Sequence, residues 1–119
     1  MIIRSLDDTA GFQAGDSSFL KEMLNPAKEP LAIRYSLAHA EVAPGCQTRP
    51  HRLTSAEVYV ILEGHGLMHV GAERAEVAAG QAVYIPPGEV QRIENVGSGP
   101  LAFLCIVDPA WTPGSEEVL

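Results

Sequence analysis

Beyond Pro30 the chain breaks into short apolar runs: LAIRYSLAHAEV, EVYVIL, LMHV, AEV, QAVYI, VQRIENV and LAFLCIV, separated by APG, EGHG, AAG, PPG and GSG. Runs of this length, rich in Val, Ile, Leu and Tyr and spaced by turn residues, predict many short strands in an all-β sandwich or barrel. No second helical pattern interleaves with them, which disfavours a parallel α/β sheet. Along EVYVIL, Glu57, Tyr59 and Ile61 fall on one face of a strand and Val58, Val60 and Leu62 on the other. Both faces are largely apolar, whereas a strand with one solvated face alternates with polar residues. A covered outer face is therefore expected. A second copy packed sheet to sheet, giving a homodimer, is the economical cover; the N-terminal segment is the alternative.

Before Pro30 the texture differs. The stretch DSSFLKEML, Asp16 to Leu24, predicts a short helix with Asp16 or Ser17 as N-cap and Pro26 forbidding continuation. After the last apolar run, DPAWTPGSEEVL holds the only tryptophan, Trp111, which is expected to anchor the tail to a surface, while SEEVL is expected to be mobile. The expected organisation is an arm with a short helix over residues 1–30, a β-barrel over 31–108 and a tail over 109–119.

Charge narrows the partners. Fifteen acidic residues against eight basic ones leave a net charge of −7 with no basic run, a surface that repels phosphate backbones. The longest apolar segments reach about seven residues, far short of the roughly 18 that a spanning helix needs. The start MIIRSLDD lacks the apolar stretch of a secretory signal. A soluble cytoplasmic protein that binds a small molecule, and neither nucleic acid nor membrane, is the expectation. Cys46 and Cys105 form no CxxC pair. Cys105 reads as a small core residue, and Cys46 as free, or as an additional ligand near His51.

Two spaced motifs carry the candidate chemistry. The first, GCQTRPHRLTSAEVYVILEG, has the form G-x5-H-x-L-x3-E-x6-G from Gly45 through His51, Leu53 and Glu57 to Gly64. The second has the form G-x5-P-x-G-x2-Q-x3-N, from Gly80 through Pro86, Gly88 and Gln91 to Asn95. Together they resemble the two motifs of the cupin superfamily, in particular its mannose-6-phosphate-isomerase-like members. The resemblance implies a double-stranded β-helix, or jelly-roll barrel, with a divalent metal or small ligand in its cavity. Every scaffold position of the family pattern is present. At two of the four ligand positions, however, Leu53 and Gln91 stand where the family has histidine.

The spacing itself places positions 51 and 53 on one face of an extended strand, with Glu57 opening the next strand toward the same cavity. Position 91 arrives from a strand distant in sequence. His51, Glu57 and Gln91 thus offer an imidazole nitrogen, a carboxylate and an amide oxygen, an atypical set that binds more weakly than two or three imidazoles plus a carboxylate and leans to permissive ions such as Mn, Zn, Ni or Fe(II). Leu53 and Tyr59 are expected to border the ligand pocket. Alternatively, His51 joins a metal-free hydrogen-bond network with Gln91. His39 has uncertain parity and is either a surface or core histidine or a replacement ligand reaching the cavity; His65 belongs to an exposed hairpin tip, and His69 is expected to face outward from its strand.

Three functions remain open. One is a metal-bearing cupin acting on a small polar molecule, a sugar or sugar phosphate being one candidate in an isomerase-like reaction. Another is a metal-free epimerase-type enzyme with His51 as base and Tyr59 as acid. The third is a non-catalytic binding or sensing module.

Overall fold

The computed structural model describes residues 1–119. The strands are β1 (Phe12–Gln13), β2 (Phe19–Leu24), β3 (Ser36–Val42), β4 (His51–Leu53), β5 (Ala56–Glu63), β6 (His65–Val70), β7 (Glu73–Ala78), β8 (Ala82–Ile85), β9 (Gln91–Asn95), β10 (Leu101–Asp108) and β11 (Glu116–Val118). They divide between a six-stranded antiparallel sheet, in the order β1-β2-β3-β10-β5-β8, and a five-stranded one, in the order β11-β4-β9-β6-β7. The expected all-β class is what is seen. The barrel takes the form of two sheets packed together, not a ring closed by hydrogen bonds.

Inward residues of both sheets make the core. Ala40, Val42, Tyr59, Ile61, Ile85, Leu101, Phe103 and Cys105 come from the larger sheet, and Met68 and Ile93 from the smaller. The Tyr59 and Phe103 rings sit 4.4 Å apart at 33°. Each large side chain so buried contributes about 1.5–3 kcal/mol relative to exposure. The β5–β6 hairpin turns at Gly64, whose φ of +89 favours glycine; a Cβ there would also lie 2.5 Å from the Pro100 carbonyl oxygen.

The N-terminal helix is not formed. Residues Phe19–Leu24 are strand β2, paired along β3 from Phe19↔Glu41 to Leu24↔Leu37. The pattern FLKEML suits a helix locally, but the open edge of β3 offers those backbone groups a ladder, and tertiary pairing overrides propensity. The only helical turns are three-residue 3-10 turns at Leu6–Asp8 and Pro113–Ser115.

The tail is likewise ordered. β11 pairs with β4 from Glu116↔Leu53 to Val118↔His51, and the Leu119 N–H donates to the Pro50 carbonyl at 2.9 Å. Arg52 adds two hydrogen bonds to Glu117 Oε2, at 3.0 and 2.9 Å.

The outer face of the larger sheet is apolar, as read from EVYVIL. It presents half-buried Leu37, Val58, Val60, Leu104 and Ile106, together with exposed Leu62 and Tyr84. No helix is long and apolar enough to cross a membrane.

Candidate metal and ligand site

A cavity of about 160 Å³ lies between the arm, β4, the inner face of the larger sheet and the tail. Its polar wall includes Asp16, His51, Glu57, Tyr59 and Glu116; Leu20, Leu53, Val107 and Trp111 supply much of the apolar wall.

His51 opens β4 and is 2% exposed. Its Nδ1 lies 2.7 Å from the Arg49 carbonyl oxygen, which can only accept, so Nδ1 carries the proton. In the neutral ring Nε2 is then a free lone pair. It points toward Asp16 Oδ2, 3.5 Å away, too far for a strong hydrogen bond.

Asp16 does not cap a helix; it closes a turn. Its Oδ1 accepts from the Ser18 N–H at 2.9 Å and from Ser18 Oγ at 2.6 Å, while Ser17 takes a φ of +80. This is the i to i+2 bond by which Asp competes with helix formation. The Arg49 N–H donates to the Asp16 carbonyl at 2.6 Å, which ties the turn to the residues leading into β4. On the other side, register opposite Leu53 brings Glu116 to the cavity, and the Trp111 indole Nε1–H donates to Glu116 Oε2 at 2.8 Å.

Asp16, His51 and Glu116 each offer a ligand atom, all within 4.8 Å of one another. Each side chain is also held by a hydrogen bond from or to the protein. Oriented imidazole and carboxylate ligands of this kind are what metal sites use. Donors on one ion at about 2.0–2.2 Å stand roughly 3–4 Å apart, so the widest pairs of this set must draw in, by about 1 Å, to close around an ion.

Deeper in, the Tyr59 O–H donates to Gln91 Oε1 at 3.0 Å. That bond turns the amide so that Gln91 Nε2 finds no partner, and Glu57 Oε1 finds none either. Burial pushes the Glu57 carboxyl up from 4.5 to about 8; the Gln91 amide opposes this, and the charges of Asp16 and Glu116 reinforce it. Glu57 therefore holds its proton at neutral pH. Burial first, and the charge of Glu57 second, raise the Tyr59 phenol and the Cys105 thiol well above their usual range. Both stay protonated.

Of the three expected ligands, His51 belongs to the converging set. Glu57 lines the same cavity outside that set, and Gln91, the cross-strand partner of His51, is bonded to Tyr59. Leu53 and Tyr59 both line the cavity. His39 lies on the face of β3 opposite Ala38 and Ala40, away from the cavity, and Cys46 is exposed. His65 is exposed, and His69 points outward to Glu94, 2.7 Å from Nε2. Asp16 and Glu116 were not expected at the site. No motif spacing links either to His51, and only the fold brings them together.

The donor set fits a divalent ion: one imidazole with its lone pair exposed and two carboxylates suit Mn, Fe(II), Zn or Ni. Glu57 beside it is 94% buried, and its Oε1, facing the Gln91 amide without a formed hydrogen bond, is open to a partner in the cavity.

The family model described as "Cupin domain" matches residues 38–107. An uncharacterized protein of Methanocaldococcus jannaschii is 41% identical over 105 residues, covering 87% of this chain and 83% of that one. A dimethylsulfoniopropionate lyase of Ruegeria pomeroyi is 48% identical over 67 residues, 56% of this chain and 43% of the lyase. Among solved structures, a cupin 2 conserved barrel domain protein from Salinispora arenicola superposes with a TM-score of 0.78 at 20% identity, covering 96% of this chain and 91% of that one.

Proposed function

The chain belongs to the cupin family, and on that premise we propose that it binds a divalent metal ion through Asp16, His51 and Glu116 and presents it to a small molecule in the adjoining cavity. The observation that carries this reading is the convergence of the three side chains with each one anchored elsewhere: His51 on the Arg49 carbonyl, Asp16 on Ser18, Glu116 on Trp111. An ion bound there supplies Lewis-acid polarisation of a ligand oxygen.

The protein's own groups do the rest. Glu57 keeps a proton at the cavity wall and is the acid–base group of an isomerase-like proton transfer. Tyr59 is spent on holding Gln91, which favours the metal reading over one with Tyr59 as a free acid. Leu53, Leu20 and Val107 give the ligand an apolar side, so a small molecule with a polar head and an apolar face fits. None of the eight lysines and arginines lines the cavity, so a phosphate finds no cationic side chain. An unphosphorylated sugar or similar polar ligand ranks ahead of a sugar phosphate. We also propose a cytoplasmic homodimer joined through the apolar outer face of Leu37, Val58, Leu62, Tyr84 and Ile106, with light scattering as its measurement.

Calorimetric titration of chelator-treated protein tests the central reading. One Mn²⁺ per chain is expected, and Asp16→Asn should weaken binding by more than about 100-fold, beyond the 10–100-fold that outer-shell changes cost. Failure to bind any of Mn²⁺, Fe²⁺, Zn²⁺ or Ni²⁺ would overturn it.

A further inference from the structure

Trp111 is fixed more firmly than an anchor for a tail requires. Its backbone N–H donates to Ser36 Oγ at 2.9 Å, and its carbonyl accepts from Asn25 Nδ2 at 3.0 Å, Asn25 being 2% exposed. The Lys28 ammonium lies 5.6 Å from the centre of its ring and is itself paired with Glu22 at 2.8 Å. Main chain and ring are thus both located by the larger sheet and the segment after it. The indole N–H has one direction in which to donate, and it donates to Glu116 Oε2 at 2.8 Å.

An indole has a single N–H and accepts nothing. It therefore fixes the Glu116 carboxylate at Oε2 by a single bond and takes up none of the carboxylate's other lone pairs. Ser18 does the same for Asp16, and the Arg49 carbonyl for His51. Glu116 differs from those two because it sits on a three-residue edge strand, where the backbone alone gives a long side chain little direction.

We propose that Trp111 is a positioning residue for the metal site, aiming the Glu116 carboxylate at the ion that Asp16 and His51 share. This rests on the metal reading above. It adds that a residue outside the set of ligands governs affinity through one hydrogen bond, and that the site draws on a sheet-bound tryptophan to orient a ligand carried by the tail.

Two variants separate positioning from docking. Trp111→Phe keeps an aromatic ring beside Lys28 and removes the N–H. Glu117→Gln removes the Arg52 contact that holds the same strand from its solvent side. Mn²⁺ affinity by calorimetry should fall about 10–100-fold in Trp111→Phe and less than about fivefold in Glu117→Gln, an exposed ion pair. Amide exchange over residues 116–119 of metal-free Trp111→Phe should match that of the unaltered protein. Unchanged Mn²⁺ affinity in Trp111→Phe, an equal loss in the two variants, or faster amide exchange of the metal-free tail would each overturn the positioning role while leaving the metal reading intact. No Mn²⁺ binding by the unaltered protein would overturn both.

Discussion

The two ends of the cavity hold carboxylates in different surroundings. At the rim, Asp16 and Glu116 are each bonded at one oxygen and stand beside an imidazole. At the floor, Glu57 has an oxygen with no partner, and burial lifts its pKa to about 8. The two rim carboxylates come from segments outside both motifs, the floor from the motif strands β5 and β9. The contrast teaches that the motif glutamate is buried into a neutral acid, while the carboxylates that converge on His51 arrive from elsewhere. The rim acts on the floor, because the charges of Asp16 and Glu116 both help to keep Glu57 protonated.

The largest effect that sharpens this contrast is on stability against pH. A carboxyl whose pKa rises on folding contributes stability that is whole below about pH 4.5, declines through the window up to about 8 and is gone above it. The upper limit is about 5 kcal/mol, at about 1.36 kcal/mol per pH unit. Denaturant melts of metal-free protein from pH 5 to 9 should show the decline, and Glu57→Gln should flatten it. A curve equally steep in that variant would place the titration elsewhere.

Next in size is the division of labour over the metal. His51→Ala should reduce Mn²⁺ affinity by about 100-fold or more, whereas Glu57→Gln should shift it by less than about fivefold, these being a proposed ligand and a group outside the converging set. Equal losses would erase the distinction between rim and floor. Smaller again is Tyr59→Phe, which strands Gln91 Oε1 in a site 1% exposed. Thermal or chemical unfolding should register a loss of about 1–3 kcal/mol, with metal affinity unchanged. The least effect is expected at the solvent-facing side of β11, where Glu117→Gln should cost at most about 1 kcal/mol of stability.

The fold was legible because its signals are local. Turn glycines, apolar runs and two motifs at set spacing mark strands and hairpins, and Gly64 shows why one such glycine is required. The floor of the cavity was legible for the same reason, since Tyr59 and Glu57 share a strand face. The rim was not. Asp16 sits in a stretch with helical spacing, and only the availability of β3 as a partner turns that stretch into a strand and its first residue into a turn. Glu116 belongs to a polar tail whose order depends on pairing with β4, a contact with no periodicity to announce it. Interactions between distant segments made the difference in both cases, and a lone acidic residue gives no local sign of them.

Strand β10 sets the tempo of folding. It lies between β3 and β5 and pairs along both, so the larger sheet has no continuous centre until this late segment is in place. Before then β3 and β5 carry open edges and apolar side chains together, the combination that lets unfinished chains pair with one another. Such non-local pairing places refolding in the millisecond-to-second range typical of all-β domains. The yield of native protein is accordingly decided by a race between the docking of Leu101–Asp108 and encounter with another chain, so dilution during refolding should matter more than any change at the cavity.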